Sequence, residues 1–485
     1  MGRKDGMSAW QLTMLGLGTV IGGSFFLATA IAIRSAGPAI LIAYILGGGL
    51  VYIILMALSE MTVANPSTGS FRDHSEQEFG PWLGFIVGWV YWTGLVLAMS
   101  SEATAASVFL QSWFHQSLPV LAITIVIGVI LLNLVGAKTL SRLESSLATI
   151  KLAALVGFIV LAGALIFGLF PNKAPVGLGA LRTATLFPHG LGGIAGSMLI
   201  VMFGYAGFEV IGLAASETKE PHRTVPRAIL YTVVALVGLY ILVIAALLPL
   251  VPTSGLTVEN SPMVSALRAR GLAVAAGTVN IILATAILST MLAATFGLGR
   301  MVRSLADVGH APSFLIDKGE VPLRGILFSG FAMLAGVSLA YLLPKRIYIF
   351  LVSSGGFSLL FIYLIILINH YHFRSRKGCP PRGQCQLAGF PFTSWIGIAS
   401  LIIIIVTMPL IPGQGSGLLA GLLLVFFYSV SYVVVFRLPQ MLGIKRAAAA
   451  RPLSKPLDPG TDTETGMKNN STPHQLKSND NSPKS

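Results

Sequence analysis

Charge is scarce in this chain. Only 10% of its 485 residues are Asp, Glu, Lys or Arg, whereas 54% are hydrophobic. A water-soluble fold clothes itself in roughly a quarter charged residues, so the composition excludes one and points to an integral membrane protein. Acidic residues are scarcer still, 18 against 32 Lys and Arg, which leaves a formal charge of +14. An excess of that size also occurs in nucleic-acid-binding proteins. Here the basic residues fall between hydrophobic runs and in the C-terminal stretch, without the interleaved aromatics of a nucleic-acid platform. No nucleic acid is expected as a partner.

Cysteine is nearly missing. Cys379 and Cys385 share one basic segment with His370 and His372. That spacing fits no tight zinc pattern, so the expectation is a pair of reduced cytosolic thiols and no metal. A convergent Ser/His/Asp set and a phosphate-cradling loop are also lacking, and neither an enzyme nor a cofactor is expected. The start, "MGRKDGMSAW", is short and basic. The run after it is longer than a signal-peptide core and lacks a clean small-residue cleavage site.

What the chain does have is long apolar runs. A spanning helix needs about 20 such residues. On that rule twelve segments emerge, at about 10–34, 39–64, 81–112, 119–136, 146–170, 191–215, 227–251, 271–298, 325–343, 347–369, 392–411 and 416–436. "SAGPA", "FGPW", "LPKR" and "IPGQGSG" punctuate the connections. From 438 to 485 the composition turns to Pro, Ser, Thr, Asn and Lys, and this stretch is expected to be a disordered tail. With the amino terminus inside, 25 of the 32 Lys and Arg fall on the cytoplasmic side and 7 outside. The positive-inside rule therefore puts both termini in the cytoplasm of a multi-pass cell-membrane protein.

The first run contains "GLGTVIGGSFF", with four glycines in eight residues. A helix in lipid has to satisfy its own backbone, so this weakness needs a reason. A second interrupted run, "GSMLIVMFGYAGFEVIGLAASE", occupies the sixth segment. First and sixth are corresponding members of a five-plus-five inverted repeat, here about 10–170 and 191–369, with 392–411 and 416–436 appended. A broken helix bares N–H groups at the start of its second half, which suit a carboxylate, and carbonyls at the end of its first half, which suit an ammonium group. Together they complement a zwitterionic amino acid. Close helix packing also favours glycine, but two matched clusters, one followed by an intramembrane glutamate, favour a binding site.

Several stretches, in order, resemble amino acid permeases of the amino acid–polyamine–organocation superfamily. They are "GLGTVIGGSFF" with "AIRSAGPAILIAYILGG", then "ALSEMTVANPSTGSFRDHSEQEFGPWLGFIVGWVYW", "VMFGYAGFEVIGLAASETKEPHRTVPRAI" and "GRMVRSLADVGHAPSFL" with "VPLRGIL". The resemblance runs from residue 10 to about 440. It implies an all-α membrane fold with broken first and sixth helices, a transporter domain over residues 1–437, and secondary transport of an amino acid. It also implies that Gly22, Gly23 and Ser24 meet the substrate carboxylate. Carbonyls near Val20, Phe203, Gly204 and Ala206 would meet the amine beside Gly207, with Phe203 at the position of a gating aromatic. Two departures stand out. Relatives often read Gly-Ser-Gly or Gly-Thr-Gly where this chain has Gly22-Gly23-Ser24, and a polar Asn-Ser pair falls on Leu292-Ala293. The second shift favours a less polar substrate or a repositioned polar contact.

An ionisable residue near the bilayer centre costs about 2.5–3.5 kcal/mol and usually has a partner or a task. Lys151 lies about two turns inside the fifth segment. Removal from water disfavours an ammonium ion relative to the amine, so a lysine there can surrender and recover a proton. The resembling permeases place a lysine here against the first helix. Lys151 is therefore the expected proton-coupling residue, touching the Gly18 carbonyl, with snorkelling to the cytoplasmic face as the alternative. Glu209 is expected to hold the second break or carry a proton, and Glu102 to line the pathway or bond between helices. Glu60 and Glu217 are expected in surface ion pairs. Tyr91, Trp89, Trp92 and Trp113 are candidates for the cavity wall or for interface anchors.

The expectation is a proton-coupled amino acid importer working by alternating access. An exchanger of amino acids or amines, an amino-acid-binding membrane sensor and a channel are the alternatives. The oligomeric state is not legible.

Overall fold

The computed structural model describes residues 7–441 apart from 65–70, 112, 136, 171–173, 214–217, 219, 258–259, 318, 320, 340–346 and 380–384. Among the described residues the protein is helical, with a single isolated bridge between Met7 and Thr218 and no named strand. Among the described residues, eight helical stretches are long and apolar enough to cross a membrane, and three shorter apolar helices accompany them.

The first hydrophobic run forms two helices, α1 (Ala9–Val20) and α2 (Thr29–Ala36). The start of α1 is a capping box, in which the Gln11 N–H donates to Ser8 Oγ and the Ser8 N–H to Gln11 Oε1. Ile21 then takes an extended conformation, and a widened turn over Ser24–Ala28 leads into α2. There follow α3 (Ile40–Ala64), a short polar α4 (Phe71–Phe79), α5 (Pro81–Leu110), α6 (Leu118–Leu134) and α7 (Ala137–Ile166).

The sixth run is again divided, into α8 (Gly190–Tyr205) and the single turn α9 (Val210–Leu213). Next come α10 (Pro221–Leu247), α11 (Pro262–Ala269), α12 (Ala273–Asp307), α13 (Leu323–Ser338) and α14 (Ile347–Lys377). Last are α15 (Phe392–Thr407), α16 (Gln414–Tyr432) and a helical continuation to Met441. The chain is thus still helical four residues into the stretch expected to be unfolded from 438. The remainder of that expected tail lies outside the described residues.

Helices α5, α12 and α14 form the centre. α5 packs along α14 and α12, and it meets α14 where Gly94 and Gly355 let the backbones come together: a Cβ on Gly355 would sit 3.1 Å from the Gly94 carbonyl oxygen. Small residues are what close helix crossings in a membrane require. α5 is almost wholly enclosed, whereas α16 is mostly bare, with Leu419, Leu422, Leu423, Phe426 and Phe427 turned outward. In water such a face would be a liability; against acyl chains it is at home.

Two expectations are corrected. Glu60 is not in a surface ion pair: it is fully buried at the end of α3, where its carboxylate accepts from the Gln386 and Leu387 N–H groups and from Arg374. The segment after α14 folds back over α3 and seals it, which no spacing in the sequence reveals. Glu217 lies outside the described residues. Cys379 and Cys385 are not free thiols: they are joined in a disulfide, their Cα atoms 5.1 Å apart. Gly378, just before the first of them, has a positive φ of 68°.

Candidate functional site

The two helix breaks face each other. At Ala206 the backbone leaves helical geometry, and Gly207 follows with a φ of +103°. Thr19, near the end of α1, donates its hydroxyl to the Gly207 carbonyl at 3.2 Å. A Cβ on Gly207 would lie 2.8 Å from the Thr19 carbonyl oxygen and 3.4 Å from the Val20 Cα. Only glycine fits such a backbone at such a distance. Of the residues singled out from sequence, Gly22, Gly23, Ser24, Ala206 and Gly207 lie in the two breaks, and Val20, Phe203 and Gly204 in the last turn of the helix before each.

Each break has a polar side chain fixed upon it. Across the first lies Glu102 of α5. The Gly23 and Ser24 N–H groups donate to its carboxylate at 2.6 and 2.9 Å. These are the donors bared where the first helix resumes. Glu102 is 3% exposed, and its near oxygen fills the space that a side chain on Gly23 would need. The expectation that Glu102 merely lines a pathway or joins two helices is thereby narrowed to a definite contact.

Lys151 of α7 is 1% exposed, so it does not snorkel to the cytoplasmic face. Its ammonium donates to the Gly18 carbonyl, as expected, and also to the Ile21 carbonyl at 3.1 Å. Thr290 of α12 adds a hydroxyl 3.5 Å from the Lys151 Nζ and itself donates to the Ile21 carbonyl at 3.1 Å. Carbonyls at the end of a half-helix carry partial negative charge, so a cation there is well matched. Thr290 thus places a polar contact two residues before Leu292-Ala293 on the same helix.

The second break is held by Glu209. Its carboxylate accepts from the Gly207 N–H at 3.0 Å and from the Tyr91 and Tyr363 hydroxyls, each at 3.2 Å. Three donors thus converge on one buried carboxylate at the unwound turn. Of the expected amine-facing carbonyls, that of Phe203 accepts the Ala206 N–H at 3.2 Å, and that of Gly204 accepts the Tyr240 hydroxyl at 3.1 Å.

Sequence reasoning missed Tyr240, Thr290 and the aromatic cluster beside the breaks. In that cluster Phe25 stacks on Tyr240 with ring centroids 3.8 Å apart, Tyr44 stands edge-on to both, and Tyr205 lies tilted against Tyr240. The usable signal was a tyrosine within each of three apolar runs, Tyr44, Tyr205 and Tyr240, since a buried hydroxyl seeks a partner. Of the other aromatics considered, Tyr91 reaches the site. Trp92 bonds Ser329 at 2.9 Å and Trp89 the His310 carbonyl at 3.0 Å, while Trp113 is exposed.

The match to known proteins is broad. The model of the family described as amino acid permease covers residues 11–449. The chain is 30% identical to the gamma-aminobutyric acid permease of Bacillus subtilis, over 94% of this chain and 97% of that one. It is 30% identical to the aromatic amino acid transport protein AroP of Corynebacterium glutamicum, over 86% and 91%. It is 31% identical to the gamma-aminobutyric acid permease of Escherichia coli, over 86% and 91%. These relatives are transporters, not enzymes. Two opposed helix breaks and a match along nearly the whole length agree: the chain is a multi-pass membrane transporter that belongs to the amino acid permease family of the amino acid–polyamine–organocation superfamily.

Proposed function

We propose that this protein imports an amino acid across the cytoplasmic membrane by proton symport, through alternating access of two inverted repeats that together make up ten of twelve spans. Opposed breaks support an amino acid as the cargo, because they bring N–H groups of the first, on Gly23 and Ser24, near a carbonyl of the second, on Gly204, the complements of a carboxylate and an ammonium group. The observation that carries proton coupling is Lys151, buried and fastened to the Gly18 and Ile21 carbonyls. As an ammonium ion it draws the end of α1 towards α7. As an amine it loses most of that pull, so a proton gained or lost there bears directly on the geometry of the first break. Glu209, tied to three donors, serves to keep the second break open.

The test is uptake into proteoliposomes of the full chain, with and without an inward proton gradient. The twenty standard amino acids and γ-aminobutyrate form the panel, and the names of the relatives put γ-aminobutyrate and the aromatic amino acids first. Accumulation against a gradient is expected for at least one of them only when protons flow inward. Lys151→Ala should abolish that accumulation and leave counterflow exchange. Undiminished proton-driven accumulation in the variant would remove the coupling role, and no uptake of any of the panel would remove the reading as a whole.

A further inference from the structure

The poles of the candidate site are already occupied by the protein's own side chains. The Gly23 and Ser24 N–H groups, the donors suited to a substrate carboxylate, are both spent on the Glu102 carboxylate at 2.6 and 2.9 Å. The Gly204 carbonyl, an acceptor suited to a substrate ammonium group, is spent on the Tyr240 hydroxyl at 3.1 Å. Both side chains come from helices that do not break, α5 and α10, and both are buried. Two backbone N–H groups cannot serve two carboxylates at once, and a bare helix end in a dry interior is costly. We propose that Glu102 and Tyr240 are internal stand-ins for the two ends of the substrate: they satisfy the breaks while the site is empty, and an amino acid binds by replacing them. This rests on the proposed transport of an amino acid.

The arrangement makes affinity a difference. A substrate carboxylate gains the two N–H bonds only after displacing a carboxylate that already holds them, so net affinity is lower than the contacts alone would give. It also sorts ligands. A zwitterion can evict Glu102, whereas an amine without a carboxylate cannot, and leaves Glu102 in place as its counter-ion. The empty site is thereby kept from wetting its broken backbone without a permanent lid.

The test is equilibrium binding to the purified full chain in detergent. The panel of twenty amino acids and γ-aminobutyrate is measured first on the unmodified protein, and then the best ligand and its decarboxylated counterpart on the variants. Glu102→Ala should tighten the amino acid by about tenfold, the worth of one charge-assisted hydrogen bond no longer competed for, and should weaken the amine or leave it unchanged. Glu102→Gln, which keeps the size and can accept from only one of the two N–H groups, should tighten the amino acid by a smaller factor, and it decides the matter if Glu102→Ala does not fold. Tyr240→Phe keeps the ring stacked on Phe25 and should tighten both ligands by freeing the Gly204 carbonyl. Amino acid binding that is unchanged or weaker in the folded Glu102 variants, or an amine that gains as much as the amino acid, overturns the role of Glu102. Unchanged binding of both ligands in Tyr240→Phe overturns that of Tyr240. A protein that binds nothing in the panel sinks the amino-acid reading and this inference with it, whereas a bound amino acid with no gain in the variants sinks this inference alone.

Discussion

Gly207 shows how much one missing side chain governs. Its φ of +103° is closed to residues with a Cβ, and the place such an atom would take is 2.8 Å from the Thr19 carbonyl oxygen. Gly207→Ala should therefore cost about 1–3 kcal/mol in backbone strain and push α1 and α8 apart. The expected result is a folded protein with a lowered unfolding midpoint and no measurable amino acid binding, read by thermal unfolding and by radioligand binding. Normal affinity in that variant would move the site elsewhere. At this scale the sequence is legible wherever a residue is out of place for lipid. Glycines mid-helix, Lys151 and Glu209 each announce a constraint, and Lys151 lies on the very carbonyl named for it. Residues that suit lipid announce nothing. Thr290 and Tyr240 sit in apolar helices without offence, and only their partners across the helix contact reveal what they do.

At the scale of the element, α4 is the least expected piece. It is polar and short, falls between two hydrophobic runs, and has no period that distinguishes it from a loop. It is held by what it touches. Arg72 is buried between Asp73 and Glu76, Ser75 accepts from Asn369 at 2.7 Å, and Glu78 meets Lys377 at 2.7 Å and His372 at 2.9 Å. All three α4–α14 contacts lie towards the C-terminal end of α14. Burial pushes the His74 imidazole down to about 4, and His310, beyond the end of α12, is pushed down to about 4 for the same reason, helped by the charge of Arg72. Burial raises Glu78 as well, but the Lys377 and His372 contacts outweigh it and hold that carboxyl below its ordinary value.

The sign of the linkage follows. Between pH 6.5 and about 4 the unfolded chain takes a proton on each of these histidines and the folded one does not, so stability present above that window is lost as the pH falls through it. For His74 the amount is about 3 kcal/mol. Glu76, raised by burial, acts in the opposite direction nearer pH 4.5. The unfolding midpoint in detergent should drop between pH 7 and pH 5. His74→Gln should flatten part of that drop, and an unaltered slope would show that the imidazole is charged in the fold.

Across the whole molecule, the hydrophobic runs read from sequence coincide with helices because membrane length and backbone satisfaction leave the chain little choice. No helix was singled out from sequence as the central one, although α5, which is enclosed, is the least apolar of the candidate spans and α16, which faces outward, is among the most apolar. The Lys and Arg asymmetry makes a further prediction at this scale. A fluorescent reporter fused after Ser485 should fold and emit, and an alkaline phosphatase fused there should stay inactive, both as expected for a cytoplasmic end. An active phosphatase would invert the topology.

The Thr19–Gly207 contact joins residues 188 positions apart. Synthesis delivers the first break to the bilayer long before its counterpart exists. Until α5 and α7 bring Glu102 and Lys151, the newborn chain holds a helix with open ends in oil, and the contact with Gly207 closes later still. Any variant that delays either step prolongs that vulnerable interval, and its harm would register as degradation during biogenesis even where the finished carrier works well.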